Sequence, residues 1–116
     1  MQYLLLIYDN EKRWSKGYDP AELTEYRAFG QQHAAAIKGG NALQPTSTAK
    51  TVRVRNGKPL ATDGPFAETK EQLGGFYLVE AKDIAEATAI AAKIPGARHG
   101  SIEVRPIMTF SQTAAG

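Results

Sequence analysis

Apolar and polar positions alternate along the chain at two spacings, which predict strands and helices in succession. The run YLLLIY at residues 3–8 is apolar at every position, so it predicts a strand covered on both faces. Residues 19–40 predict an amphipathic helix, because Asp19 suits the N-cap, Pro20 suits the first turn, and apolar residues recur at steps of three and four. The glycine pair 39–40 is expected to end that helix.

A turn signal and a second capped helix organise the rest of the chain. Asn56–Gly57 follows the alternating segment TVRVR and predicts a tight hairpin, whose return arm carries Pro59 and therefore lies at an edge. Asp83 is expected to cap the second helix. In chain order, the predicted elements after the first helix are a short strand, a hairpin, a strand, a helix and a strand, at residues 41–45, 51–62, 76–81, 83–96 and 101–107.

This order of elements predicts an α+β domain. Two strand–helix–strand halves are typical of a ferredoxin-like split βαβ sheet with both helices on one face. Since the first strand is apolar on both sides, the uncovered face of the sheet is expected to be partly apolar. We therefore expect a homodimer in which two such faces meet as a dimeric α+β barrel. Residues 1–110 form the predicted single domain, and residues 111–116 a flexible C-terminal tail.

Composition narrows the class of function. The chain has 116 residues, no cysteine, and 14 Lys and Arg against 12 Asp and Glu, interspersed along its length. This balance gives no support to nucleic-acid or membrane binding, and the lack of cysteine excludes thiol catalysis. No segment approaches the roughly 20 apolar residues of a membrane span, so a cytoplasmic location is expected. We expect no metal and no cofactor, because two separated histidines are a weak metal signal.

Two motifs carry a family resemblance. The segment DGPFAETKE at residues 63–71 and the closing IEVRPI at residues 102–107 resemble the YCII-related family, specifically its DGPF-domain branch. The opening YLLLIYD and the ALQP at residues 42–45 also fit, so the resemblance covers nearly the whole chain. It implies a YciI-like dimeric α+β barrel. The His–Asp pair proposed in the broader family is not carried over, because Phe29 and Ile94 stand near its two positions here.

The DGPF segment holds most of the candidate site residues. Asp63 is interpreted either as a turn residue that accepts backbone hydrogen bonds or as a carboxylate at a pocket rim, acting as a general base or as the partner of a cation. Glu68 is the second catalytic candidate, and Phe66 and Lys70 are candidate ligand-binding residues. A mixed charge run of this kind is more often a solvated surface.

Further candidates lie on the last strand and in the first helix. Glu103 and Arg105 alternate with aliphatic residues, so they are expected to face the open side of the sheet. They form either a structural ion-pair network, with each other or with Asp63 or Glu68, or a pocket in which Arg105 binds an anion. His33 lies on the apolar stripe of the helix, either as a ligand-binding residue or as a core histidine.

Three other residues have structural interpretations. Trp14, in a polar loop, is expected to fold back onto the body of the domain, the alternative being contact with a ligand. Glu22 is expected to reach back to the start of the first helix as in a capping box. Gly30 costs that helix roughly 1 kcal/mol relative to alanine, which suggests close packing at this position.

The sequence leaves more than one class of function open, and with it the question of whether the chain is an enzyme. One hypothesis is a dimeric barrel that binds a small organic molecule and transforms it by acid–base chemistry through Asp63, Glu68 and Arg105. The alternative is a non-enzymatic regulatory or interaction partner, because members of the resembled family are often encoded beside sigma factors of the extracytoplasmic-function type. A third hypothesis is that the DGPF segment serves only dimer architecture.

Overall fold

Six strands and two α-helices form the fold of residues 1–110, which a computed structural model describes. The tail that the sequence predicts at residues 111–116 lies outside the described residues. In chain order the elements are β1 (Gln2–Asp9), α1 (Pro20–Gln32), β2 (Ile37–Ala42), β3 (Lys50–Arg55), β4 (Lys58–Asp63), β5 (Gln72–Glu80), α2 (Ile84–Ala91) and β6 (Ser101–Pro106).

Four of the strands form an antiparallel sheet in the order β2–β5–β1–β6, and β3 and β4 form a separate hairpin. The core lies on one face of the sheet, where Tyr3 and Leu5 of β1 are 2% and 0% exposed. These two side chains share a buried cluster with Phe29 of α1 and Ile90 of α2, so both helices cover the same face. The predicted ferredoxin-like α+β fold is therefore confirmed.

The first helix is shorter than the sequence predicts, and the next strand begins earlier. α1 ends just before His33, whose backbone N–H donates to the carbonyl of Phe29 at 3.0 Å. The glycine pair 39–40 lies inside β2 instead of ending the helix. A Cβ at Gly40 would stand 2.6 Å from the carbonyl oxygen of Phe76 on β5, so glycine there allows the two strands to approach closely.

The sequence predicts where the two helices begin more accurately than where they end. The side chains of Asp19 and Asp83 accept backbone N–H groups of the first turns at 3.1 and 2.9 Å, which confirms both N-caps. The second helix, which the sequence predicts over residues 83–96, ends at Ala91, and the N–H groups of Lys93 and Ile94 then donate three residues back in tighter turns. The expectation of close packing at Gly30 is wrong, because a Cβ there would meet no heavy atom within 4 Å.

The β3–β4 hairpin is turned by Asn56–Gly57, as the sequence predicts. Both residues have positive φ, 53° and 76°, which is typical of the tightest hairpin turns. Val52, Val54 and Leu60 on the two strands are 64%, 60% and 53% exposed. The hairpin therefore presents apolar side chains to its surroundings.

The face of the sheet opposite the helices is also apolar at its centre. Leu4 pairs with Leu78, and Leu6 lies two residues along on the same face; all three are half-buried. On β6, Arg105 stands beside Leu4 and Glu103 beside Leu6. The alternation that the sequence predicts for these charged residues is confirmed, since Ile102 and Val104 pack against the core on the other side.

Candidate functional site

A cleft of about 300 Å³ opens on the helix-covered side of the sheet. It lies between α1, the loop that follows β1, and the facing stretches of β2 and β5, and we call it the α1 cleft. Its floor is formed partly by bare backbone at Gly40, Gly74 and Gly75. A Cβ at any of the three would stand 3.3 Å or less from a neighbouring atom, so glycine here allows the strands and the Trp14 ring to pack closely.

Aromatic rings wall one side of the α1 cleft. Trp14 is 7% exposed, so the prediction that it folds back onto the domain is confirmed. Its ring stacks on Tyr18, with centroids 5.5 Å apart and planes inclined by 9°. A Cβ at Gly74 would lie 3.3 Å from the Trp14 ring, so the indole rests directly on β5. The wall is a flat and largely apolar surface.

Two buried carboxylates held by one arginine form the polar end of the α1 cleft. Asp9, the last residue of β1, is 6% exposed, and Glu22 in the first turn of α1 is 7% exposed. Arg13 Nε and Nη2 donate to Asp9 Oδ2 at 3.0 and 2.7 Å. Arg13 Nη2 also lies 3.1 Å from Glu22 Oε1. We call these three residues the Asp9–Arg13–Glu22 cluster.

A short 3₁₀ turn brings Arg13 back over Asp9. The side chain of Asn10 caps this turn by accepting the N–H of Lys12 at 3.0 Å. One turn of tight helix then places Arg13 four residues beyond Asp9 on the same side. Glu22 points to Arg13 and not to the helix start, so the capping box predicted from the sequence is wrong.

The ionisation of the groups in the α1 cleft follows from these contacts. Hydrogen bonds to Asp9 raise the pKa of Arg13 above its already high value, although burial opposes this. Burial raises the pKa of Tyr18, Tyr26 and Tyr77. These phenols therefore stay protonated at neutral pH. Two carboxylates against one guanidinium leave the cluster with one formal negative charge in excess.

The residues of the DGPF segment lie away from the α1 cleft. Asp63 ends the hairpin with its side chain 86% exposed, and it pairs with Lys50 at 2.6 Å. Phe66 is 79% exposed, and Glu68 and Lys70 are exposed on the same loop. None of these four candidates lines the cleft among the described residues.

The other three candidates also lie outside the α1 cleft. Arg105 Nη2 donates to Glu103 Oε1 at 2.8 Å, so these two residues pair with each other on the open sheet face. Hydrogen bonding to Glu103 raises the pKa of Arg105. His33 is the C-cap residue that follows α1, and its Nδ1 lies 3.1 Å from the Phe29 carbonyl oxygen. Its ring packs on Phe29 with centroids 4.6 Å apart.

Sequence reasoning missed the Asp9–Arg13–Glu22 cluster. Its signals are weak, because Asp9 closes an apolar run and Glu22 occupies a position that favours capping. The part of the chain that the structure describes contains no group of three His, Cys, Asp or Glu residues arranged to hold a metal. Within the same residues, no helix is long and apolar enough to cross a membrane.

Comparisons with known proteins give a family and a fold. A sequence model described as YCII-related domain matches residues 1–111. An uncharacterized protein of Rhizobium meliloti (strain 1021) is 38% identical over 117 residues, which cover 95% of this chain and 94% of that protein. The 5-chloro-2-hydroxyhydroquinone dehydrochlorinase of Burkholderia phenoliruptrix AC1100, solved with 2,5-dihydroxybenzoquinone, has a TM-score of 0.52. Its alignment covers 93% of this chain and 94% of that one at 15% identity, and this likeness shows the fold alone.

Replacement of Arg13 by methionine should lower the free energy of unfolding by about 2–4 kcal/mol, because it leaves two buried carboxylates without their shared cation. We expect a smaller loss of stability than for a fully buried ion pair, since the Arg13 side chain is 34% exposed. Urea unfolding of the variant measures the change. Arg98→Met is the matched control, because Arg98 pairs with Glu25 at 2.6 Å on the surface and should contribute little. Equal losses in the two variants would contradict a special role for Arg13.

Proposed function

The chain belongs to the YCII-related domain family, and from this premise we propose that it binds a small organic molecule in the α1 cleft. The observation that carries the proposal is a cleft of about 300 Å³ with stacked aromatic rings at its side and buried carboxylates at its end. An apolar cavity with a few convergent polar groups is the usual form of a small-molecule site. Its volume suits a ligand of one ring.

The fold neighbour gives this proposal a chemical direction. That protein is named as a dehydrochlorinase and was solved with a planar dihydroxyquinone. A planar ring also matches the flat wall that Trp14 and Tyr18 form in the present chain. Acid–base chemistry on such a ligand would fall to Asp9 or Glu22, because these carboxylates line the cleft.

The DGPF segment remains an alternative site. Asp63, Phe66, Glu68 and Lys70 are accessible to a ligand or to another protein. The exposed apolar side chains of the β3–β4 hairpin favour the second candidate function, a regulatory protein that acts by binding a partner. Substitutions in the DGPF segment or the β3–β4 hairpin should affect partner binding, whereas substitutions in the α1 cleft should affect ligand binding.

We also propose that the chain forms a homodimer through the open face of its sheet. Leu4, Leu6 and Leu78 form an apolar strip there, and a second copy would remove it from water. The ion pair of Glu103 and Arg105, whose Oε1 and Nη2 atoms are 2.8 Å apart, lies beside this strip. In a dimer it would form part of the polar border that commonly surrounds an apolar interface.

A thermal-shift screen of small ring compounds, with neutral, cationic and anionic members, tests ligand binding in the α1 cleft. A ligand of the native state raises the melting temperature as its concentration rises. We expect the shift to disappear in Tyr18→Ala, which removes part of the cleft wall, and to persist in Phe66→Ala, which alters the exposed DGPF segment. The reverse pattern would place the ligand at the DGPF segment and contradict the α1 cleft.

Dimerisation is tested by light scattering at micromolar protein concentration. We expect the mass of two chains for the wild type and of one chain for Leu6→Asp, because a carboxylate on the apolar strip would be buried without a partner. Ile84→Asp is the matched control, since Ile84 is 51% exposed at the start of α2 and should leave the dimer intact. A wild-type protein of single-chain mass would rule out the proposed dimer.

A further inference from the structure

The two carboxylates at the end of the α1 cleft are not equally supplied with hydrogen bonds. Asp9 Oδ1 accepts the backbone N–H of Asn10 at 2.7 Å, and its Oδ2 accepts Nε and Nη2 of Arg13. Glu22 has only Arg13 Nη2, which lies 3.1 Å from Oε1 and 3.4 Å from Oε2. Asp9 thus has three good donors, whereas Glu22 shares one.

Because Glu22 accepts from one donor group only, its buried carboxylate can accept further hydrogen bonds. A carboxylate offers roughly four lone-pair sites, and a buried one is costly when they stay empty. Among the described residues, Arg13 is the only group that donates to the Glu22 side chain within hydrogen-bond distance. Glu22 is 7% exposed and lines the α1 cleft, so a ligand bound there would lie against the small part of this carboxylate side chain that stays accessible.

The geometry points to Glu22 as the group that selects the ligand. We propose that it accepts a hydrogen bond from a hydroxyl or ammonium group carried by a planar, otherwise apolar ring. This inference rests on the proposed function, because it assumes that the ligand occupies the α1 cleft. The ring would lie along the wall of Trp14 and Tyr18, with its donor directed to the cluster.

The same arrangement selects against carboxylate ligands. Arg13 already directs Nε and Nη2 to Asp9 and Glu22. The cluster keeps one formal negative charge in excess, and the surrounding low dielectric strengthens its repulsion of another anion. A cationic or neutral donor meets no such repulsion. The cleft should therefore discriminate among ligands of equal size by the charge and hydrogen-bonding character of one substituent.

Trp14 gives a direct reporter for this inference, since it is the chain's single tryptophan and it lines the α1 cleft. The shift of its indole N–H resonance in ¹⁵N–¹H spectra can be titrated with benzylamine, benzyl alcohol and benzoate, which share one ring and differ in the substituent. We expect benzylamine or benzyl alcohol to bind at least about tenfold more tightly than benzoate. Comparison of the two donors shows whether the charge or the hydroxyl is preferred.

Glu22→Gln keeps the shape of the side chain and removes its charge. We expect this variant to bind benzylamine about tenfold more weakly or worse. The difference in affinity between benzylamine and benzoate should then become smaller. Glu25→Gln is the matched control, because Glu25 lies on the same helix outside the cleft and pairs with Arg98. It should bind all probes as the wild type does.

The outcomes separate this inference from the proposed function. If benzoate binds as tightly as the donor probes, or if Glu22→Gln leaves every affinity unchanged, Glu22 does not select the ligand, although the cleft still binds one. If none of the three probes shifts the indole resonance at millimolar concentration, the inference is also overturned, and the thermal-shift screen alone decides whether the cleft binds another class of molecule. If Glu22→Gln fails to fold, the inference is decided by the order in which the wild type binds the three probes, with benzoate expected to be the weakest.

Discussion

The requirement that buried charges be paired determines how this domain builds its cleft. Asp9 and Glu22 are both more than nine-tenths buried, and Arg13 pairs with both. To reach both carboxylates, the loop after β1 must fold back over the sheet. That same fold carries Trp14 onto β5 and closes one side of the α1 cleft. The loop that follows β1 therefore both pairs the buried charges and forms one side of the cleft.

The cleft also depends on what the facing strands omit. Gly40, Gly74 and Gly75 bring bare backbone to its floor, and a Cβ at each would stand 3.3 Å or less from neighbouring backbone or a ring. Larger residues here would force the strands apart or displace the Trp14 ring from β5, whereas Tyr3 and Leu5 fill the adjacent core. The same face of the sheet thus holds a packed core in one part and a cleft in the other.

Local signals in the sequence predicted much of the fold but little of the candidate site. Caps such as Asp83 and the Asn56–Gly57 turn act within a few residues, so the sequence reveals them directly. The glycines at 39–40 resembled a helix end because their true role depends on contact with β5, far along the chain. Glu22 was assigned to capping for the same reason: its partner Arg13 is brought close only by the fold of the loop.

A double-mutant cycle between Arg13 and Glu22 tests most directly whether their pairing organises this part of the domain. Unfolding free energies of the wild type, Arg13→Met, Glu22→Gln and the double variant give the coupling between the two side chains. We predict a coupling of about 1 kcal/mol or more, within the range of residues that share one buried network. Additive losses, with a coupling near zero, would show that the two side chains act independently and would contradict this account of the cleft.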